Sequence, residues 1–334
     1  MSSIKDVARI TGCSPSTVSR VVNKKGNISE ETERRVLEAI EQVGYIPNSV
    51  ARSLKNCRTN TIGVIVPDIS ESFFAQLIKG INLVSVENGC SIMLCESEES
   101  PERESSLISL LNENRVDGLI VATVQSDDQI VNSVQQVTCP IVFVDNVPSS
   151  IQGYDSVSTD NIKASYLAIE HLVAQGHSRI AAIMGKRTEH VGFERYSGYL
   201  KALSHHNIAV DNSLIRFGDF KEQSGYTAMK ELLESGSDFT AVYIASSKMT
   251  YGAMMAIREA GLRIPEDIAL VGFDIQGEYP MLPPGIAAVC QQDREAGSRA
   301  AEIMFRRMEE TSDLAVACEH VVLDPFLKLS EIGG

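Results

Sequence analysis

The sequence predicts an α/β protein in two parts: an N-terminal three-helix helix-turn-helix headpiece with a hinge, then a core of two doubly wound parallel-sheet subdomains. Three observations predict it. The first sixty residues set their apolar side chains at helical spacing in three short segments divided by turn residues. From Thr61 onward, short continuous apolar runs alternate with helical patterns, the sign of parallel strands covered on both faces. That alternation occurs as two successive series, which calls for two sheets with a cleft between them.

Composition is compatible with this plan. At 334 residues, 43% hydrophobic and 22% charged, the chain can fill two or three ordinary globular units. It contains no apolar run of the roughly 18–20 residues that a membrane span requires. The opening "MSSIKDVARI" lacks the apolar stretch of a secretory signal. Seven cysteines, odd in number and without a C-x-x-C, argue against a disulfide framework and against a zinc site. The expected setting is a reducing cytoplasm, with no metal and no cofactor.

Charge is unevenly spread. Residues 1–60 hold ten Lys/Arg and six Asp/Glu, a balance of +4. The whole chain holds 30 and 44, which leaves twenty basic and 38 acidic residues beyond position 60, a balance of -18. A polyanion should meet the first sixty residues, although a solvated acidic surface with a basic end explains the same numbers.

In the headpiece, Ile4, Val7 and Ala8 form the apolar stripe of a first helix that Gly12 stops. Ser14 is the N-cap and Pro15 the first residue of a second helix. Val18, Val21 and Val22 share its inner face; Ser16, Arg20 and Asn23 lie nearly opposite, with Thr17 and Ser19 on the flanks. A third helix starts at Ser29 with Glu30 and Glu31 in its first turn, buries Val36, Leu37, Ile40 and Val43, and stops at Gly44. Helix, tight turn, helix with a polar outer face, then a supporting helix is the helix-turn-helix pattern. Pattern alone leaves open a three-helix bundle that packs on the rest of the protein.

The next segment, "PNSVARSLKN" (Pro47–Asn56), can make only two or three helical turns. Helices below about 12 residues are marginal alone in water, so it forms only when something pins it. Val50 and Leu54 give it one apolar edge, and Arg52 and Lys55 can meet phosphates; a plain linker is the other reading.

The core strands read as "TIGVIV", "SIMLCE", "DGLIVAT" and "PIVFVD", then "RIAAIMG", "LIRFGDF", "AVYIAS" and "IALVGFD". Helices are expected near Phe74–Val86, Glu102–Asn112, Ala164–Ala174, Glu194–Ser204, Gln223–Leu233 and Tyr251–Ala260. Ligands of such folds sit beyond the carboxyl ends of strands, which puts Asp68–Ser70, Asp145, Lys186, Phe220, Ser246–Ser247 and Asp274 at the cleft. No G-x-S-x-G, phosphate loop or H-E-x-x-H occurs, and the six histidines are scattered, so an enzyme is not expected.

"IKDVARITGCSPSTVSRVVN", "SEETERRVLEAIEQVGYIPNSVARSL", "RTNTIGVIVPDI", "STDN", "HLVAQGHSRIA" and "AGLRIPEDIALVGFD" together resemble the lactose-repressor (LacI/GalR) family, in the right order over nearly the whole chain. The resemblance implies a headpiece (1–46) and a hinge helix (47–60). Beyond them it implies a periplasmic-binding-protein-like core of discontinuous subdomains, 61–160 with 291–320 and 161–290 with 321–330. Crossovers would fall near Asp160, Gln291 and Val321.

In that family the second helix enters the major groove. Carried over, Pro15, Ser16 and Arg20 set operator choice, Arg20 being suited to a guanine edge, while Thr17, Ser19 and Asn23 meet phosphates and Ser14 is counted with the DNA-binding residues. In the hinge helix Asn48, Ala51 and Lys55 would face DNA, and Leu54 would wedge into the minor groove at the operator centre. The partners so implied are operator DNA, a small-molecule effector and a second copy of the chain, with no membrane. Because the chain ends soon after "HVVLDPF", a dimer is expected rather than a tail-linked tetramer. Both ligands would act on one two-state element, the angle between subdomains.

The candidate effector set is Asp68, Ser70, Phe73, Phe74, Asp145, Asp160, Lys186, Phe193, Arg195, Phe220, Ser246, Ser247, Asp274 and Gln291. Sugar-binding members often carry an arginine in the segment matching "HVGFERYSGY"; our alignment sets Phe193 at that position. They also carry Asn-Asp where Ser246-Ser247 stands. An aspartate and an arginine bond adjacent hydroxyls well, so the usual sugar clamp is expected to be altered. A sugar or sugar-derived metabolite is favoured; a nucleoside stacked between Phe73, Phe193 and Phe220, or control by a partner protein, are the alternatives. The rival of another class is a solute-binding sensor with no DNA role.

Overall fold

The computed structural model describes residues 3–22, 28–45, 58–125, 127–148, 153–275, 285–310 and 317–329. The chain divides into two units, Met1–Thr59 and Asn60–Gly334.

In the first unit, α1 (Ile4–Thr11), α2 (Pro15–Val22) and α3 (Glu30–Val43) each begin at a hydroxyl residue. Ser14 Oγ accepts from the Thr17 backbone N–H at 3.1 Å and Ser29 Oγ from that of Thr32 at 3.4 Å. These bonds satisfy N–H groups that have no partner within the helix. Gly12 and Gly44 end α1 and α3 at φ +66° and +60°, a backbone region that glycine enters without steric cost. Val7, Ala8, Val18, Val21, Val36 and Ala39 make the small core. Leu37, expected inside, is 51% exposed. The buried stripe of α3 runs through Val36, Ala39, Ile40 and Val43, and Leu37 stands one residue, about 100°, off it. The Arg35 guanidinium donates to the Thr11 carbonyl and ties α3 to the end of α1.

The second unit contains β1 (Thr61–Val66), α4 (Ser72–Glu87), β2 (Ser91–Glu96), α5 (Pro101–Glu113), β3 (Gly118–Val121), α6 (Asp127–Val134), β4 (Ile141–Val144) and β5 (Asp155–Thr159). There follow α7 (Asn161–Ala174), β6 (Ile180–Met184), α8 (His190–His205), β7 (Ile215–Phe217), α9 (Glu222–Glu234), β8 (Ala241–Ile244), α10 (Ser247–Glu259) and β9 (Ala269–Phe273). The last elements are β10 (Ala287–Cys290), α11 (Asp293–Glu309), β11 (His320–Leu323) and β12 (Phe326–Leu329).

They form two six-stranded sheets, β11-β5-β4-β3-β1-β2 and β12-β10-β9-β8-β6-β7. Every pairing is parallel except β10 with β12. Helices α4 and α11 pack on one face of the first sheet, α5 and α6 on the other. The second sheet has α7 and α8 on one face, α9 and α10 on the other. Burial on both faces explains why the strands read as unbroken apolar runs.

The chain passes between the sheets after β5, after β10, and at Asp324–Pro325 between β11 and β12. The third crossing was expected near Val321. Instead, Val321–Leu323 still pair with Val157–Thr159 of the first sheet, and Pro325, which has no N–H to donate, breaks the ladder. Because every strand but the antiparallel β12 runs in its sheet's common direction, the loops that follow the parallel strands build the walls of one cleft.

Candidate functional site

In the headpiece the outward face of α2 is as the helical period requires. Val18 and Val21 are 0% and 4% exposed, while Ser14, Pro15, Ser16 and Arg20 are exposed and Thr17 and Ser19 half-buried. Ser14 Oγ lies 2.6 Å from Ser16 Oγ and 2.8 Å from Thr17 Oγ1, so the cap already engages three hydroxyls. Among the described residues nothing hydrogen-bonds the Arg20 guanidinium; its five donors are available to a partner. Asn23, Asn48, Ala51, Leu54 and Lys55 lie outside the described residues.

The core cleft encloses a cavity of about 300 Å³. Of the fourteen candidates, ten line it: Phe73, Phe74, Asp145, Lys186, Arg195, Phe220, Ser246, Ser247, Asp274 and Gln291. The other four do not. Asp160 caps α7, its carboxylate accepting from the Lys163 N–H at 2.8 Å. Asp68 receives Lys248, and its other oxygen holds the Ser70 hydroxyl, so both residues are taken up at the rim.

Phe193 is 52% exposed and stays outside the cavity, whereas Arg195, two residues on, is 6% exposed and inside it. The inner stripe of α8 runs Val191, Gly192, Arg195, Tyr199, Ala202, and a two-residue step turns a side chain about 200° around the helix. The arginine thought missing is therefore present, as Arg195.

Arg195 is held firmly. Its Nε donates to Asn161 Oδ1 at 2.9 Å and its Nη1 to the Ala245 carbonyl at 2.7 Å, and the guanidinium stacks 3.5 Å from the centre of the Phe273 ring. Asp274 follows β9 and accepts from the backbone and side-chain nitrogens of Gln291 at 2.8 and 2.5 Å. Asp145 follows β4 and accepts no side-chain hydrogen bond among the described residues. Burial lifts its carboxyl to about 7 against the pull of Arg195. Burial likewise lifts Asp274 to about 6, against the donations from Gln291 and the Arg195 charge. Burial raises Glu71 as well, although Lys248 lowers it.

Asp145, Phe220 and Asp274 each sit at positive φ (64°, 67° and 50°), where a side chain is strained. Gly185, after β6, lets the Phe220 ring cross that strand end, since a Cβ there would lie 1.9 Å from Phe220 Cζ.

Residues 59–321 match the family described as periplasmic binding proteins and sugar binding domain of the LacI family, and residues 3–48 match bacterial regulatory proteins of the lacI family. The chain belongs to the LacI family of bacterial regulatory proteins. It is 32% identical over 330 residues to the HTH-type transcriptional repressor PurR of Histophilus somni, covering 98% of this chain and 97% of the relative. It is 33% identical over 315 residues to catabolite control protein A of Priestia megaterium, covering 94% and 95%. Among solved structures, the lac repressor dimer bound to operator and the anti-inducer ONPF matches with a TM-score of 0.87 and 28% identity, covering 98% of each chain.

Several cavity-lining residues of this LacI-family regulator were not anticipated from its sequence: Glu71, Glu99, Thr123, Val124, Asn146, Glu189, Asp219 and Phe273. Thr123 and Val124 are set by a buried carboxylate, Glu104 of α5. It accepts from Thr123 Oγ1 at 2.6 Å, the Val124 N–H at 2.8 Å and Gln125 Nε2 at 2.9 Å. Asn146, next to Asp145, could have been inferred from its place after a strand. The acidic loop residues carry no periodic signal. No described helix is long and apolar enough to cross a membrane.

Proposed function

We propose that this LacI-family protein is a sequence-specific DNA-binding repressor. It acts as a homodimer on a pseudo-palindromic operator in the bacterial cytoplasm and is controlled by a small molecule in the core cleft. The observation that carries this is the outward face of α2, where exposed Ser16 and unpartnered Arg20 back onto a valine core. A forked guanidinium on a helix that fits the major groove reads a guanine edge by two parallel bonds. Homodimerisation is supported by exposed apolar side chains on α4 (Leu83, Val86) and on the edge strand β2 (Met93, Leu94).

A sugar or sugar-derived effector is favoured because Arg195 lines the cleft with Asp145 and Asp274, a charged, forked pairing suited to adjacent hydroxyls. Such a ligand, touching both subdomains, would bias the angle between them and, through the dimer, the spacing of the two headpieces.

Titration of operator-like duplexes against a scrambled duplex, at about 0.05 and 0.2 M salt, tests the reading. Specific binding should survive the higher salt where non-specific binding collapses. Equal affinity for both duplexes would refute it. Arg20→Ala should cost about 1–3 kcal/mol at the cognate site and relax one base position. A loss uniform over all sequences would make Arg20 a phosphate contact instead.

A further inference from the structure

Six carboxylates line the core cleft (Glu71, Glu99, Asp145, Glu189, Asp219, Asp274) against two cations, Lys186 and Arg195. Lys186 is spent on Glu189 at 3.0 Å, and Glu99 is met by Lys221 at 3.5 Å. Asp219 turns back to the Lys221 N–H at 3.1 Å. That leaves Glu71, Asp145 and Asp274 near the Arg195 guanidinium, with Lys248 also acting on Glu71; Glu71 and Asp274 both raise the proton affinity of Asp145, and Asp274 raises that of Glu71.

A second feature is independent of charge. Gln291 is 4% exposed and its Oε1 accepts no hydrogen bond from the described residues. Its amide cannot be turned round, because Nε2 donates to the Asp274 carboxylate. Asn146 repeats the arrangement: Nδ2 donates to the Thr123 carbonyl at 3.0 Å and the buried Oδ1 has no donor among the described residues. A buried acceptor without a donor is costly, and here two amide oxygens share a cavity with three carboxylates.

We infer that the ligand of this cleft carries an ammonium group on a hydroxylated frame, as in an amino sugar, the ammonium sitting among Glu71, Asp145 and Asp274 and the hydroxyls donating to Gln291 and Asn146. This rests on the reading of the cleft as a small-molecule site and adds the ligand's charge. Burial holds Asp145 at about 7 and Asp274 at about 6; a second cation beside Arg195 relieves the carboxylates' mutual repulsion. Phe220 supplies the apolar wall on which the face of a sugar ring can lie.

Calorimetric titration of the full-length protein at neutral pH with glucosamine, galactosamine and mannosamine, each beside its neutral parent hexose, tests it. At least one amine should bind about tenfold or more tighter than its parent, the size expected of a partly desolvated charge pair. The gap should narrow between about 0.05 and 0.5 M salt. Asp145→Asn should shrink the gap, and Glu71→Gln provides the same contrast should that variant fold poorly. A neutral hexose that binds as tightly as its amine, or a gap indifferent to salt, overturns the inference and leaves the cleft a ligand site. No heat from any of the six overturns the inference and, with it, the reading of the cleft as a hydroxylated-ligand site, while the DNA titration stands apart.

Discussion

Replacing Asp145 by asparagine should change how the stability of the core depends on pH. In the native protein burial lifts this carboxyl to about 7 against the pull of Arg195; in the unfolded chain it returns to 3.8. Between those values the native state keeps a proton that the unfolded chain has released. The stability this group contributes is therefore complete below about pH 4 and lost as pH rises through about 7. The difference between 3.8 and about 7 corresponds to about 4 kcal/mol, at about 1.4 kcal/mol for each tenfold change in proton affinity. Asp145 is only half-buried, and water at the cleft screens it, so about 1–2 kcal/mol is the expected size.

Asparagine keeps the shape and does not titrate, so subtracting the two proteins removes the pH dependence of every group that is not coupled to Asp145. The chain has no tryptophan and nine tyrosines, which makes far-ultraviolet circular dichroism in urea the practical assay. Between about pH 4.5 and about pH 8, wild type should lose about 1–2 kcal/mol relative to Asp145→Asn. A flat difference, or wild type gaining on the variant as pH rises, would refute the assignment of Asp145 as a carboxyl destabilised by burial.

Two further substitutions probe the frame around the cleft. Arg307 grips Asp155 at 2.7 and 2.8 Å, with side chains 12% and 7% exposed, so Arg307→Ala should cost about 3–5 kcal/mol and Asp155→Asn in the same background should recover part of it; a thermal melt that moves by less than about 2 °C would count against this. Gly185→Ala sets a methyl against the Phe220 ring and should weaken ligand binding about tenfold with under about 1 kcal/mol lost in stability, read by calorimetry and urea melts; unchanged ligand affinity would show that Phe220 forms no part of the site.

Much of the fold was legible because two periods govern it. Val18, Val21 and Val22 repeat at helical spacing, and "TIGVIV" or "IALVGFD" can only be strands buried on both faces. What escaped lacks such a period. β5, "DSVST", is polar at four of its five positions, yet it is buried between β4 and β11 and its Asp155 is satisfied by Arg307. "HVVLDPF" reads as one strand and is two, in different sheets, because Pro325 interrupts the ladder. In the site, residues that directly follow strands were found by rule. Residues on α8 required the phase of that helix: both Phe193 and Arg195 were candidates, and only Arg195 is buried in the cleft. Glu71, Glu99 and Asp219 come from loops whose course no local pattern announces.

The cleft also fixes how a ligand could be felt beyond it. The walls come from two sheets that share three chain crossings, and polar contacts span the gap: Lys248 with Asp68, Ser247 Oγ with Glu71 at 3.4 Å, and Lys221 with Glu99 at 3.5 Å. Each of these reaches from the β6–β9 subdomain to the β1–β4 subdomain, and Glu71 belongs both to the bridges and to the carboxylate group around Arg195. The Lys221–Glu99 pair is exposed and contributes little, while Lys248–Asp68 is half-buried, so a few contacts of modest strength span the halves. A charged ligand that bonds Glu71 competes with Ser247 and changes the field on Lys248. On the inferred binding mode, Glu71 would both meet the ligand and take part in a contact between the halves, the kind of differential contact a ligand needs to shift a two-state equilibrium.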